Sequence, residues 1–168
     1  MTPHSTCVRR KDLQEQDFTR AADLETWVPE GDYHVIFERC ETGVVYGSKK
    51  YFAHFRITDG EHQGKPLVRF YNKPTRKKLA RSHNMFSDYL QLIGRLPPSN
   101  LKPADFLSGC EVKARVVTVE RRQVDGRWTS VPDDVRYSKI DCLLSISSGW
   151  PPGVPQKKTT DSKSATRT

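Results

Sequence analysis

Between Pro29 and Ser147 the chain reads as three alternating runs, one stretch of helical period and two further alternating runs, an order that leaves few architectures open. The first run, Asp32–Glu41, follows the turn Pro29-Glu30-Gly31. In it Tyr33, Val35 and Phe37 alternate with His34 and Glu38, while Ile36 breaks the period. A strand that pairs into both halves of a closed sheet carries such a mixture. The second run, Lys49–Thr58, places Tyr51, Ala53, Phe55 and Ile57 on a core face and Phe52, His54 and Arg56 on the other. Asp59-Gly60 and Gly64 mark the connection to the third, Lys65–Asn72, where Val68 and Phe70 oppose Leu67, Arg69 and Tyr71.

The helical stretch lies near residues 80–95. Ser82 is its expected N-cap, and Met85, Phe86, Tyr89, Leu90 and Ile93 form its apolar stripe. Gly94 and Pro97-Pro98 stop it, and Lys102–Leu107 reads as a short helical turn with proline near its start. The fourth strand, Cys110–Arg121, turns Val112, Ala114 and Val116 inward, then changes parity at Val117 and Val119, which predicts a bulge near Val116-Val117. Asp125-Gly126 is a hairpin turn. The last strand, Arg136–Ser147, sends Ile140, Cys142, Leu144 and Ile146 to the core.

Strand–strand–strand–helix–strand–strand is the connectivity of the OB-fold. The expectation is a mainly β protein: a five-stranded OB-like Greek-key barrel with one helix between strands 3 and 4. The barrel domain is expected over 27–148. A flexible N-terminal segment spans 1–26, and a disordered basic C-terminal tail, rich in Pro, Lys, Ser and Thr, spans 149–168. The formal net charge of +8 favours polyanionic partners. Cys7, Cys40, Cys110 and Cys142 form no C-x-x-C pair, and no histidine stands at ligand spacing from them, so neither a metal nor another cofactor is expected. No apolar leader or 18-residue apolar run appears, which predicts a cytoplasmic protein without membrane contact.

Single-stranded nucleic acid needs flat apolar surfaces for unstacked bases and cations along the phosphates. The outward set supplies both: Phe52 and Tyr71 as stacking platforms, Arg56 and Arg69 as phosphate contacts, and His54 between them. The loop between strands 1 and 2 adds Tyr46, Lys49 and Lys50, and that between strands 4 and 5 adds Arg121, Arg122, Arg127 and Trp128. Arg76, Lys77 and Lys78 belong to an acid-free loop running from Lys73 to Arg81. All of this depends on register, since a slip of one residue would bury Phe52 and Tyr71.

The segment Trp27-Val28-Pro29-Glu30-Gly31-Asp32-Tyr33, with Tyr51–Ile57, Gly64-Lys65 and Tyr137-Ser138-Lys139, resembles a group of phage- and plasmid-borne proteins with OB-like barrels. The resemblance spans residues 27–146 and implies single-stranded-DNA binding in replication, recombination or transfer of a mobile element. The basic tail differs from the acidic one with which many bacterial single-strand-binding proteins recruit partners.

The partner expected is therefore single-stranded DNA, with RNA the related possibility, bound with little sequence preference and without catalysis. A protein–protein module docking a host replication or defence factor is the main alternative, because OB barrels also bind proteins. A third is a metal-dependent nuclease built on Glu111-Val112-Lys113 with Asp105, although E-x-K is common on exposed strands and the flanking helices of such enzymes are missing. The oligomeric state is left open.

Overall fold

The computed structural model describes residues 27–45, 47–119, 121–124, 127–130 and 137–156. In chain order the elements are β1 (Gly31–Val45), β2 (Ser48–Ile57), β3 (Pro66–Asn72), α1 (Asn84–Ile93), α2 (Pro103–Leu107), β4 (Glu111–Val119), β5 (Arg121–Val124), β6 (Arg127–Ser130) and β7 (Tyr137–Ser148). Five of the strands form one open antiparallel sheet in the order β3-β2-β1-β4-β7, and β5 pairs with β6 as a separate two-stranded sheet. The protein is thus mainly β. The fourth strand stops at Val119, short of the expected Arg121, because Arg121–Val124 pairs with Arg127–Ser130 instead. β1 is long enough to serve two neighbours, pairing with β4 through Gly31–Ile36 and with β2 through Val35–Val45.

Bulges bend this sheet. In β1, Phe37 faces Phe55 and Arg39 faces His54, so Glu38 is the extra residue and Cys40 takes the core side that Arg39 would otherwise hold. β7 is more irregular. Against β4 it gains a residue at Asp141, at Leu144 and at Ser147, since Val116 faces Ile140 and Arg115 faces Cys142, with similar steps further on. Each extra residue resets parity. The core positions of β7 are therefore Ile140 and Leu143, with Ile146 partly buried against them, so the expected alternation Ile140, Cys142, Leu144, Ile146 fails at its two middle members. Bulges of this kind coil a strand strongly; one lies on central β1 and three on the edge strand β7.

α1 packs on both edge strands, β7 and β3. Its cap is His83 rather than Ser82: the imidazole Nδ1 accepts the Met85 N–H at 3.1 Å, and Nε2–H donates to the Asn72 carbonyl at 2.7 Å. The buried stripe is Met85, Asp88, Tyr89, Leu92 and Ile93, whereas Leu90, expected inside, is 42% exposed. Asp88 sits in the middle of that stripe because three partners from the two edge strands meet it. Arg69 donates from Nε to Oδ2 at 2.9 Å, Tyr71 from its hydroxyl to the same oxygen at 2.6 Å, and the Leu143 backbone N–H to Oδ1 at 3.4 Å. Arg69 also reaches the Ile140 carbonyl at 3.5 Å. These groups tie β3, α1 and β7 together across the open side of the sheet.

Burial raises the Tyr71 hydroxyl pKa well above its ordinary value, and the Asp88 carboxylate pushes it further. Burial opposes the Arg69 charge, but Asp88 and Tyr71 outweigh it and hold the guanidinium more firmly protonated than usual. A tyrosine whose folded pKa is raised binds its proton more tightly in the folded state. Its contribution is therefore complete below pH 10.0, the ordinary value, and is lost as pH rises above that. Tyr71→Phe is expected to cost about 1.5–3 kcal/mol at neutral pH through the lost hydrogen bond to the Asp88 carboxylate. It should also flatten part of the alkaline decline, to which Tyr33, Tyr51, Tyr89, Cys40, Cys110 and Cys142, whose values are raised too, also contribute. Urea unfolding at pH 7 and pH 10.5 checks both effects.

Past β7 the chain does not immediately leave the fold. Residues 149–156, expected to begin a disordered tail, turn back along α1 and α2. Trp150 donates its indole N–H to the Val154 carbonyl at 2.6 Å, Arg95 donates to the Pro155 carbonyl, and Pro151 and Val154 are buried. Proline and valine can be buried here because the turn is closed locally. Gly149 permits it with φ 76° and no side chain, since a Cβ there would overlap the Gly109 carbonyl oxygen. The expected segment 1–26 and the tail beyond residue 156 lie outside the described residues.

Candidate nucleic-acid interface

The expected binding face does not survive cross-strand register. Directly paired residues of antiparallel strands project to the same side of a sheet. Tyr51 pairs with Tyr71 and Ala53 with Arg69, so Tyr71 and Arg69 share the core side of Tyr51 and Ala53. Tyr71 is 0% exposed and Arg69 7%. Both were expected outside; both instead serve the Asp88 cluster. The outer partners are Phe52 with Phe70 and His54 with Val68.

On that outer face Phe52 is half-buried, edge-on to Phe70 with ring centroids 5.4 Å apart. It also lies over Gly43, where a Cβ would overlap its ring. His54, expected at the surface, is 1% exposed and donates to Glu41 at 3.2 Å. Arg56 is exposed but grips Glu38 with two nitrogens, at 2.6 and 3.3 Å, and donates to the Gly64 carbonyl at 2.6 Å. Glu38 of β1 thus neutralises Arg56, and Asp88 neutralises Arg69, the two cations expected on this face to meet phosphates.

Of the flanking loops, Tyr46 lies outside the described residues. Arg121, Arg122 and Trp128 are described by their backbone alone, in the β5–β6 hairpin where Trp128 pairs with Gln123, and Arg127 is exposed.

Of the remaining expected cations, Arg76 and Lys77 line one cavity, and Lys49 is tied to the same loop by its backbone. Lys49 and Lys50 open β2 just before Tyr51, and the Lys73 N–H donates to the Lys49 carbonyl at 2.9 Å, which ties the β3–α1 loop to that end of the sheet. The same loop is held from the other side by the Asn100 N–H, which donates to the Lys77 carbonyl at 2.8 Å. Asn100 adopts φ 58°, a left-handed conformation that asparagine tolerates better than most residues. Between these ties lies a cavity of about 260 Å³ with Tyr51, Leu79 and Leu101 at its base and Lys73, Arg76, Lys77 and Lys102 around it. The Lys73 ammonium stands 5.9 Å from the centroid of the Tyr51 ring.

Lys49, Lys73, Arg76, Lys77, Lys78 and Lys102 are exposed, and none forms an ion pair with a described carboxylate. Asp105, whose field reaches Tyr51, accepts the Lys102 backbone N–H at 2.8 Å. Partial burial, and then the positive charge of Lys139, lower the pKa of Lys50. Like charges gathered in excess of the one nearby acid, Asp105, make a site for an anion.

Three members of this site were not assigned to it from sequence. Lys73 heads the acid-free run, a usable signal. Lys102 arrives from a distant segment, and Tyr51 reads as core, which for most of its surface it is.

The carboxylates of the nuclease alternative are dispersed. Asp105 caps α2, Glu111 lies 4.0 Å from His34, and Lys113 lies 4.0 Å from Asp32. Among the described residues no group of three or more His, Cys, Asp or Glu side chains is placed to hold a metal ion. None of their helices is long and apolar enough to cross a membrane. Compared with protein-family models, with curated proteins and with solved structures, the chain matches none.

Proposed function

We propose that this chain is a non-catalytic, OB-like protein that binds single-stranded DNA with little sequence preference through its basic loop end. The outer face of β2 and β3 has a lesser part in this reading. The observation that carries it is the group of exposed cations, unpaired with described carboxylates, around a cavity based on Tyr51. Cations supply phosphate contacts, and the aromatic and aliphatic base of the cavity suits an unstacked nucleobase.

Support for the OB-like Greek-key barrel comes from the strand order β3-β2-β1-β4-β7, which is that of an OB barrel laid open between its third and last strands. The helix between the third and fourth sheet strands lies across that opening, and Arg69 spans it to the Ile140 carbonyl. A setting in replication, recombination or transfer of a mobile element rests on the resemblance carried by Trp27–Tyr33 and the segments quoted with it.

Labelled oligo-dT should bind the full chain at micromolar or tighter Kd in 50 mM salt, and several-fold to tenfold or more weaker in 200 mM salt, because counterions are released from the strand. Absence of binding in 50 mM salt would refute the reading. It would favour a protein partner, such as a host replication or defence factor, for which Leu90 at 42% and Leu96 at 68% exposure speak.

A further inference from the structure

We propose that the cavity between the β3–α1 loop and residues 100–102 is a subsite for a nucleoside monophosphate unit, the phosphorylated end of a strand. This deepens the single-strand reading above and rests on it for the strand, though not for the nucleotide.

Size is the first ground. At about 260 Å³ the cavity falls just below the range of roughly 300–1,000 Å³ usual for small-molecule sites. It suits one nucleotide and not a length of chain. Shape is the second. Tyr51, Leu79 and Leu101, which line it, are members of the hydrophobic core, so the core closes the cavity on that side. A strand end or a single everted unit fits such a recess. Charge decides between these two. A phosphodiester carries one negative charge, whereas a phosphate monoester carries about −1.5 to −2 at pH 7. Lys73, Arg76, Lys77 and Lys102 surround the cavity without an ion-paired carboxylate, an excess that the monoester matches better.

Chemistry sorts the two halves of the ligand. The exposed part of Tyr51, 9% of the residue, with Pro74, Leu79 and Leu101, offers apolar surface to the edge of a base, and the lining cations take the phosphate. The ties from Lys73 to Lys49 and from Asn100 to Lys77 hold that mouth, so little ordering remains to be done on binding.

The test uses the full chain and three probes: dTMP, inorganic phosphate, and oligo-dT with either phosphate or hydroxyl ends. Terminally phosphorylated oligo-dT is expected to bind about tenfold tighter than its hydroxyl-ended form, the equivalent of one added charge-assisted contact. dTMP should compete with it, and inorganic phosphate should compete more weakly. In Arg76→Ala/Lys77→Ala, whose side chains are exposed, the tenfold preference should disappear while residual oligonucleotide binding persists. Equal affinity for the two oligonucleotides, without competition by dTMP, would overturn the subsite and leave the single-strand reading standing. Saturable dTMP binding that the double variant abolishes, with no oligonucleotide bound, would overturn the strand reading and keep the nucleotide site. Equal competition by phosphate and dTMP would overturn the nucleoside part.

Discussion

Asp88→Ala is expected to cost the fold about 3–5 kcal/mol, the range measured when one partner of a buried ion pair is removed. The carboxylate accepts from Arg69, Tyr71 and the Leu143 backbone, so its loss strands a buried guanidinium, a buried hydroxyl and a backbone N–H together. Desolvation is the larger part of that cost, because the stranded donors have no solvent to turn to. Replacing the whole cluster should therefore be milder than breaking it. Arg69→Met, Tyr71→Phe and Asp88→Leu combined remove the side-chain donors along with their acceptor, and should recover much of the loss if packing is kept. The Leu143 N–H is still left unpaired in that variant. Urea unfolding of the two proteins checks this, and a loss below about 1 kcal/mol for Asp88→Ala would mean that the seam is held by packing alone.

The triple variant Lys73→Ala, Arg76→Ala, Lys77→Ala carries the second large effect, on binding instead of stability. Each residue is exposed and unpaired with described carboxylates, so the fold should tolerate the change within about 0.5 kcal/mol per site. At about 1 kcal/mol per lost phosphate contact, oligo-dT affinity should fall by about 3 kcal/mol, or roughly 150-fold. The log–log salt slope should become shallower by about 2, given roughly 0.7 ions released per contact with a single strand. Phe52→Ala, on the outer face, should change the slope by nothing. An unchanged slope in the triple variant would remove these residues from the interface.

The strand runs, the helix and its stop, and the double service of β1 were legible in the sequence because alternation and Gly/Pro punctuation are local signals. The core face of the second strand was legible to the residue, Tyr51, Ala53, Phe55 and Ile57, whereas His54 on its other face is buried as well. The third was not, because both of its faces carry large residues. Only the pairing of Tyr51 with Tyr71, a tertiary fact, decides which set is buried. Arginine and tyrosine on one side read as surface until a carboxylate from another element is seen to meet them, and Asp88 likewise reads as the polar face of its helix. In β7 three extra residues shift the period, and nothing local announces them. The candidate site was half legible. Lys49, Lys50, Arg76, Lys77 and Lys78 stood out as cations, but the assembly of Arg76 and Lys77 with Lys102 around the Tyr51 cavity depends on a loop closed by backbone hydrogen bonds.

Photocrosslinking of bromodeoxyuridine-substituted oligo-dT to the full chain, with the adducts mapped by mass spectrometry, tests most directly where a strand lies. Adducts should fall on Tyr51, on the peptide around Lys73–Leu79 and near Asn100–Lys102. Adducts concentrated on Phe52 and Phe70, or none in 50 mM salt, would contradict binding at the basic loop end.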